Sequence, residues 1–179
     1  MSQLLGLYRH ATDRLESADW LLPTLARFLF AAVLLVYFVN AGVTKLGDGP
    51  LGILSPSTGA YAQIFPRAFE AVGYDSDALG LFHWIVVVAG TLAEFILPIL
   101  IVLGLFTRLS ALAMIGFVTV QSLTDLFGHG QWSALGSWFD RFPDAPILDQ
   151  RALWIFLLSV IIVKGAGPLS LDRRLGHKS

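Results

Sequence analysis

The chain is built from long apolar blocks separated by short polar stretches, with no run of alternating apolar and polar residues. Blocks of this kind read as helices rather than half-buried strands. Four stand out, at 28–44, 78–107, 109–124 and 152–163. A membrane-spanning helix needs about 20 mostly apolar residues. The first block is free of charge and bracketed by Arg27 and Lys45, the second holds one charge, Glu94, and the third lies between Arg108 and Asp125. The fourth is short, but Arg151 and Lys164 at its ends can snorkel to opposite interfaces. The pattern predicts spanning helices at about 25–45, 79–106, 109–127 and 148–165.

The connections refine this layout. Only "FTR" joins the second and third blocks, which makes them an antiparallel hairpin. The first connection is rich in Gly, Pro and Ser, and its segment "AYAQIFPRAFEAVG" is expected to be an interfacial helix, broken or begun by Pro66. The last connection, "GHGQWSALGSWFDRFPDAP", carries Trp132 and Trp138, expected with Trp84 and Trp154 to anchor at the membrane interface. Near the N-terminus, "ATDRLESADWLL" reads either as an amphipathic helix on the membrane surface or as a polar tail. The early charges, from Arg9 to Asp19, argue against a signal peptide there. The expected architecture is an all-α polytopic membrane protein. It is a four-helix transmembrane bundle with short interfacial helices in its outer loops, one domain over residues 1–179.

Composition agrees. Of 179 residues, 55% are hydrophobic and 14% charged, and mean hydropathy is +0.69. Soluble chains carry roughly 25% charged residues. The net charge of -1 gives no footprint for nucleic acid, and membrane lipid is the expected environment. The absence of cysteine excludes thiolate-ligated metals, thiol relays and iron–sulfur clusters. With four spans both termini share a side. That side collects Arg9, Arg14, Arg27, Arg108, Lys164, Arg173, Arg174 and Lys178, against Lys45, Arg67, Arg141 and Arg151 opposite. The positive-inside rule then predicts cytoplasmic termini, with both long connections facing outward.

Candidate chemistry centres on Glu94. Counting about 1.5 Å per residue from the middle of each block places it near the bilayer midplane. No cation on another block reaches that depth by this count. The expected neighbours are the neutral Tyr37, Asn40, Thr119, Gln121 and Ser159, so Glu94 is expected to be protonated or hydrogen-bonded among them. Pro98 has no N–H for the Glu94 carbonyl, so side chain and backbone of one residue both need partners. Intramembrane ionisable groups are functional candidates, and Glu94 is the candidate proton-exchanging residue. The alternative is a purely structural role fastening helices.

A polar set lies nearer the outer end. His83 falls on the face of Glu94 three turns away, with Gly90 between them. Gln121, Asp125 and His129 follow i, i+4 spacing, and Tyr37, Asn40 and Thr44 form another stripe beside Lys45. These residues are expected to converge on an outward-opening cleft with Glu94 at its floor. Three readings of the cleft stand. Lys45 and Asp125 form a structural ion pair; or His83, Asp125 and His129 bind copper or zinc. In the third, Lys45, His83, Asn40, Tyr37, Gln121 and Asp125 hold a quinone head group while Glu94 exchanges protons. A bis-histidine haem suits the sequence less, because only His83 and His129 lie near the spans, both at the rim. Arg27 and Arg108, at the inner interface, are expected to meet lipid phosphate.

Three segments, "RFLFAAVLLVYFVNAGVTKL", "AEFILPILIVLGLFTRLSAL" and "IFLLSVIIVKGAGPLSLDRRL", together resemble the DoxX family of small four-helix bacterial membrane proteins. The likeness rests on Gly42 and Lys45 at the end of the first block. It rests also on Glu94 followed by Leu103, Gly104, Leu105, Thr107 and Arg108, and on the closing Gly165, Gly167, Ser170 and Asp172. The resemblance implies an inner-membrane protein. Family members have been linked to quinone-coupled oxidation, as a subunit of thiosulfate:quinone oxidoreductase, and others accompany redox-stress or metal-handling proteins. Read locally, the closing motif ends a helix at Gly165 and Gly167, and Ser170 caps a short one with Asp172 in its first turn. The functional expectation is a redox-associated, quinone-linked membrane subunit acting with a protein partner or as a homo-oligomer. The alternatives are a non-enzymatic anchor or accessory subunit and a small solute- or metal-handling membrane protein.

Overall fold

The computed structural model describes residues 2–176, so Lys178, counted above among the basic residues, lies outside the described residues. Among the described residues there are helices and no strands. The helices are α1 (Ser2–Glu16), α2 (Leu21–Val43), α3 (Thr58–Ile64), α4 (Pro66–Ala71), α5 (Leu81–Leu103), α6 (Thr107–Gly128), α7 (Pro146–Lys164) and α8 (Leu171–Arg174). Four of these, α2, α5, α6 and α7, are long and apolar enough to cross a membrane. Each contains a single wide π turn or none: Ala31–Leu35 inside α2, Thr124–Gly128 closing α6 and Pro146–Gln150 opening α7. Of the N-terminal segment at 11–22, residues 11–16 are helical, as the end of α1, and 17–20 turn the chain into α2.

The four spans surround one core. Phe30, Leu34 and Phe38 recur every four residues on α2, placing them on one face. They meet Ile101 of α5, Ala111, Met114 and Val118 of α6, and Leu158 and Ile161 of α7. The outward faces carry Val33, Val36, Ile96, Ile99, Leu112, Leu153 and Phe156, all exposed. That inversion, apolar both inside and outside, belongs to a bundle whose solvent is lipid. Trp154 packs beside this core, its ring against Tyr37 and Phe38, instead of anchoring at an interface. Trp84 and Trp138 donate their indole N–H groups to the loop carbonyls of Leu54 and Leu148, which pins the loops.

Pro66 begins a helix, as expected: α3 ends at Ile64 and α4 starts at the proline, where a missing N–H is harmless. This pair lies back on α5, with Ala60, Tyr61 and Phe69 packed against Val87. Ser57 caps α3 by accepting from the Ala60 N–H at 3.3 Å.

The end that holds both termini is tied by two buried charged residues. Arg27 does not meet lipid phosphate. Its guanidinium donates to the carbonyls of Ile101 (3.0 Å), Val102, Ala166 (2.7 Å) and Leu169 (2.7 Å). The last turn of any helix leaves carbonyls without internal partners, and a planar five-donor fork satisfies several at once. Arg108, by contrast, is exposed. Asp172 accepts from the Phe106 N–H (2.8 Å), the Thr107 N–H (2.9 Å) and the Thr107 hydroxyl (2.7 Å), which caps the start of α6. Gly104 makes the turn between α5 and α6 at φ 70°, and a Cβ there would lie 2.6 Å from that of Ser170.

Candidate functional site

Glu94 and Lys45 face each other. Lys45 Nζ lies 2.9 Å from both carboxylate oxygens of Glu94, and the residues are 6% and 4% exposed. Lys45 also donates to the Ala41 carbonyl at 3.0 Å. This overturns two expectations, that no cation reaches Glu94 and that Lys45 pairs with Asp125. The reason is directional. Every helical side chain leans toward the N-terminus of its own helix. Lys45, just past the end of α2, therefore leans back down the bundle, and Glu94 on antiparallel α5 leans up toward it. Gly42 completes the approach, because α5 lays the Phe95 ring where a Cβ would sit, at 2.7 Å.

The pair forms the floor of a cavity of about 710 Å³ between α5 and α6. Its α5 wall is Ile85, Ala89, Gly90, Ala93 and Leu97, one helical face; its α6 wall is Ala113, Gly116, Phe117 and Val120. The outer end is polar, with Gln121, Thr124, Asp125, His129 and Gln131. Gln63 and Ile64 of α3 roof it. The sequence reading missed these two, since nothing local in "AQIF" signals that the connection folds back over α5.

The polar set divides. Gln121 and Asp125 belong to the cavity, as expected. Gln121 donates to the Tyr37 hydroxyl at 3.1 Å, while its buried Oε1 has no hydrogen-bond partner. Asp125 is held by Arg151 at 2.6 Å, and Arg151 also donates to Ser122 at 3.0 Å. Arg151 is 6% exposed, so it does not snorkel to an interface. The π turn that begins at Thr124 and the one that ends at Gln150 bring these two partners together at the outer ends of α6 and α7. Lys164, at the other end of α7, lies on the surface 3.7 Å from Asp19.

Tyr37, Asn40 and His83 do not line the cavity. Tyr37 is partly exposed and turns its ring to Trp154 and its hydroxyl to Gln121, Asn40 is exposed, and His83 sits edge-on to Phe65 and Phe82, its Nδ1 without a partner. The proposed metal set is not assembled: Asp125 is taken by Arg151, His129 Nε2 lies 3.0 Å from the Gln63 carbonyl, and His83 is elsewhere. Among the described residues no three His, Asp or Glu side chains come together as a metal site.

Chemically the arrangement is an apolar slot with a charge-neutral polar floor and a hydrogen-bonding rim. It defines a class: a small four-span helical membrane protein with an intramembrane ion pair at the base of a cleft. The chain belongs to the DoxX family, whose model matches residues 22–124. That match includes Arg27, Lys45, Glu94 and the α6 wall, and ends just before Asp125. No curated protein and no solved structure matches the chain.

Proposed function

We propose that the protein is a quinone-linked, redox-associated subunit of the bacterial inner membrane, with cytoplasmic termini and residues 1–179 acting as one domain. One observation carries the reading: the buried Lys45–Glu94 pair opens into an otherwise apolar slot of about 710 Å³. A quinone head group is flat, neutral and rimmed with carbonyl acceptors. The pair has no net charge, so it offers hydrogen bonds without demanding a counter-ion. Lys45 holds its three donors on the two Glu94 oxygens and the Ala41 carbonyl, so a quinone carbonyl takes over one of these, and Glu94 is the group able to hold or release a proton beside it. Gln121 Oε1 is an unused acceptor, which suits the hydroxyl of the reduced quinol. Ala89, Gly90 and Ala93 let a flat ring lie close to α5. When bound, quinone supplies the two-electron chemistry, and the electrons come from a partner protein, because the chain carries no thiolate or iron–sulfur site.

Supporting this reading, a buried ion pair is a weak device for stability alone, since desolvation offsets much of the attraction. The test is binding of a single-isoprene ubiquinone analogue to the purified protein in phosphatidylcholine nanodiscs, followed by quenching of intrinsic tryptophan fluorescence. The expected result is saturable binding that Glu94→Gln weakens about tenfold or more, the loss of one charge-assisted hydrogen bond. Binding unaffected by Glu94→Gln and by Lys45→Met would remove the basis of the proposal. A second reading, a non-enzymatic accessory subunit, has its own observation. Trp132, Trp138, Phe139 and Phe142 are all exposed on the connection before α7, where a partner could dock.

A further inference from the structure

The cavity is not enclosed on every side. One side of it is walled by residues that are themselves on the outer face of the bundle: Ile85 and Ala89 on α5, and Ala113, Gly116 and Val120 on α6 are exposed. The same faces carry Ile96, Ile99, Leu109 and Leu112, the apolar surface that meets lipid tails. Along this side the wall is lowered by small residues. A Cβ at Gly116 would meet nothing within 4 Å. At Gly90 a Cβ would have one neighbour, Ile64 of the roof, in ordinary contact at 3.4 Å. The slot is therefore closed above by α3 and open sideways between α5 and α6. The polar floor lies at the inner edge of that opening.

We propose that the ligand enters this site laterally from the bilayer and that its long apolar tail lies in the α5–α6 groove, past Ala113 and Gly116, while its neutral head rests on the Lys45–Glu94 pair. The occupant is an uncharged, ring-headed amphiphile. Three features select it. The ion pair is self-compensated, so an anionic phospholipid head finds no unpaired cation there. The groove is continuous with the head site, both lined by one face of α5. It also runs to the lipid-facing surface, so a tail can stay in hydrocarbon throughout. The inference rests on the quinone reading and adds the route and the tail site to it.

The experiment compares two probes, a single-isoprene ubiquinone analogue and a long-chain ubiquinone, in phosphatidylcholine nanodiscs holding the full chain. Gly116→Phe puts a ring into the groove from a position where a Cβ would meet nothing within 4 Å, and Ala113→Phe puts one there from an exposed position one turn away. Each variant is checked by thermal melting before binding is measured. Wild type is expected to bind the long-chain probe more tightly. Both variants are expected to weaken the long-chain probe roughly tenfold more than the short one, the loss of burial for about two methylenes. Equal weakening of both probes would overturn the lateral route, because the blocked space would then be the head site. No change for either probe would overturn it too, with the quinone reading left standing by Glu94-dependent binding of the short probe. Absence of binding by both probes to the wild type would overturn the quinone reading and the route with it.

Discussion

Removing Lys45 should expose what the buried pair does. In Lys45→Met the hydrocarbon stem is kept and the ammonium is lost, so Glu94, 4% exposed, keeps no cation within reach of its oxygens. The carboxylate then stays ionised and unpaired, or takes a proton from water. The second course sets an upper limit on the cost. Protonating a carboxyl with an ordinary pKa of about 4.3 at about pH 7 takes roughly 2.7 pH units at about 1.36 kcal/mol each, or about 3.7 kcal/mol. Breaking a buried pair typically costs about 3–5 kcal/mol, so the two routes agree. The sign with pH follows. The cost should shrink by up to about 1.4 kcal/mol for each unit of acidification below neutrality, since protons then become cheaper for the variant while the wild type keeps its pair. Glu94→Gln leaves the ammonium, which can still donate to the Ala41 carbonyl and lean toward the polar rim. The double variant Lys45→Met/Glu94→Gln has neither charge and should recover most of the loss. Equilibrium unfolding in mixed micelles with graded SDS, run at several pH values, gives the full cycle. Additive single effects, or a Lys45→Met cost that does not change with pH, would refute the reasoning.

Other outcomes follow from the same geometry. Arg27→Met should lower stability by about 3–5 kcal/mol in the same unfolding assay, because the carbonyls of Ile101, Val102, Ala166 and Leu169 lose their shared donor. Arg27→Lys should rescue little of this, since one ammonium cannot span the fork. Gly104→Ala should cost about 1–3 kcal/mol through its φ of 70° and the 2.6 Å approach to Ser170, while Gly116→Ala should be neutral or gain up to about 1 kcal/mol. Burial, and behind it the charge of Asp77, holds the Tyr61 phenol above its ordinary range. Its contribution to stability should be complete below the ordinary tyrosine value of about 10 and be lost as pH rises through the folded value. Alkaline titration of tyrosine absorbance checks this, and Asp77→Asn should move the transition down.

How much was legible in the chain depends on the scale. The expected spans at about 25–45, 79–106, 109–127 and 148–165 match the four membrane-length helices to within a few residues. Length and hydropathy suffice for that, because a helix in lipid satisfies its own backbone and needs no partner to be recognised. The hairpin turn was equally local, although it falls at 104–106 rather than at "FTR", and so was Pro66, where one helix breaks and the next begins. The importance of Glu94 was also legible, since a carboxylate in an apolar run stands out by itself.

Its partner was not. A depth count treats each residue as a point at its Cα, whereas Lys45 and Glu94 meet through side chains that lean toward opposite ends of antiparallel helices. The same error hid Arg27 and Arg151, two long side chains at span ends that the sequence places at the lipid surface. Arg27 turns inward because α5 and the segment after α7 present carbonyls with acceptor capacity there, and Arg151 because a π turn in α6 presents Asp125. The stripes were read correctly as faces, but which face looks into the cleft depends on the rotation of each helix about its axis. That rotation kept Gln121 and Asp125 in the site and left Tyr37, Asn40 and His83 out of it. Sequence alone determined the spans and the residues too polar for them, because hydrocarbon acts on each segment separately. The tertiary structure alone decided which charges pair and where the groove opens, because those depend on stagger, rotation and side-chain reach between segments.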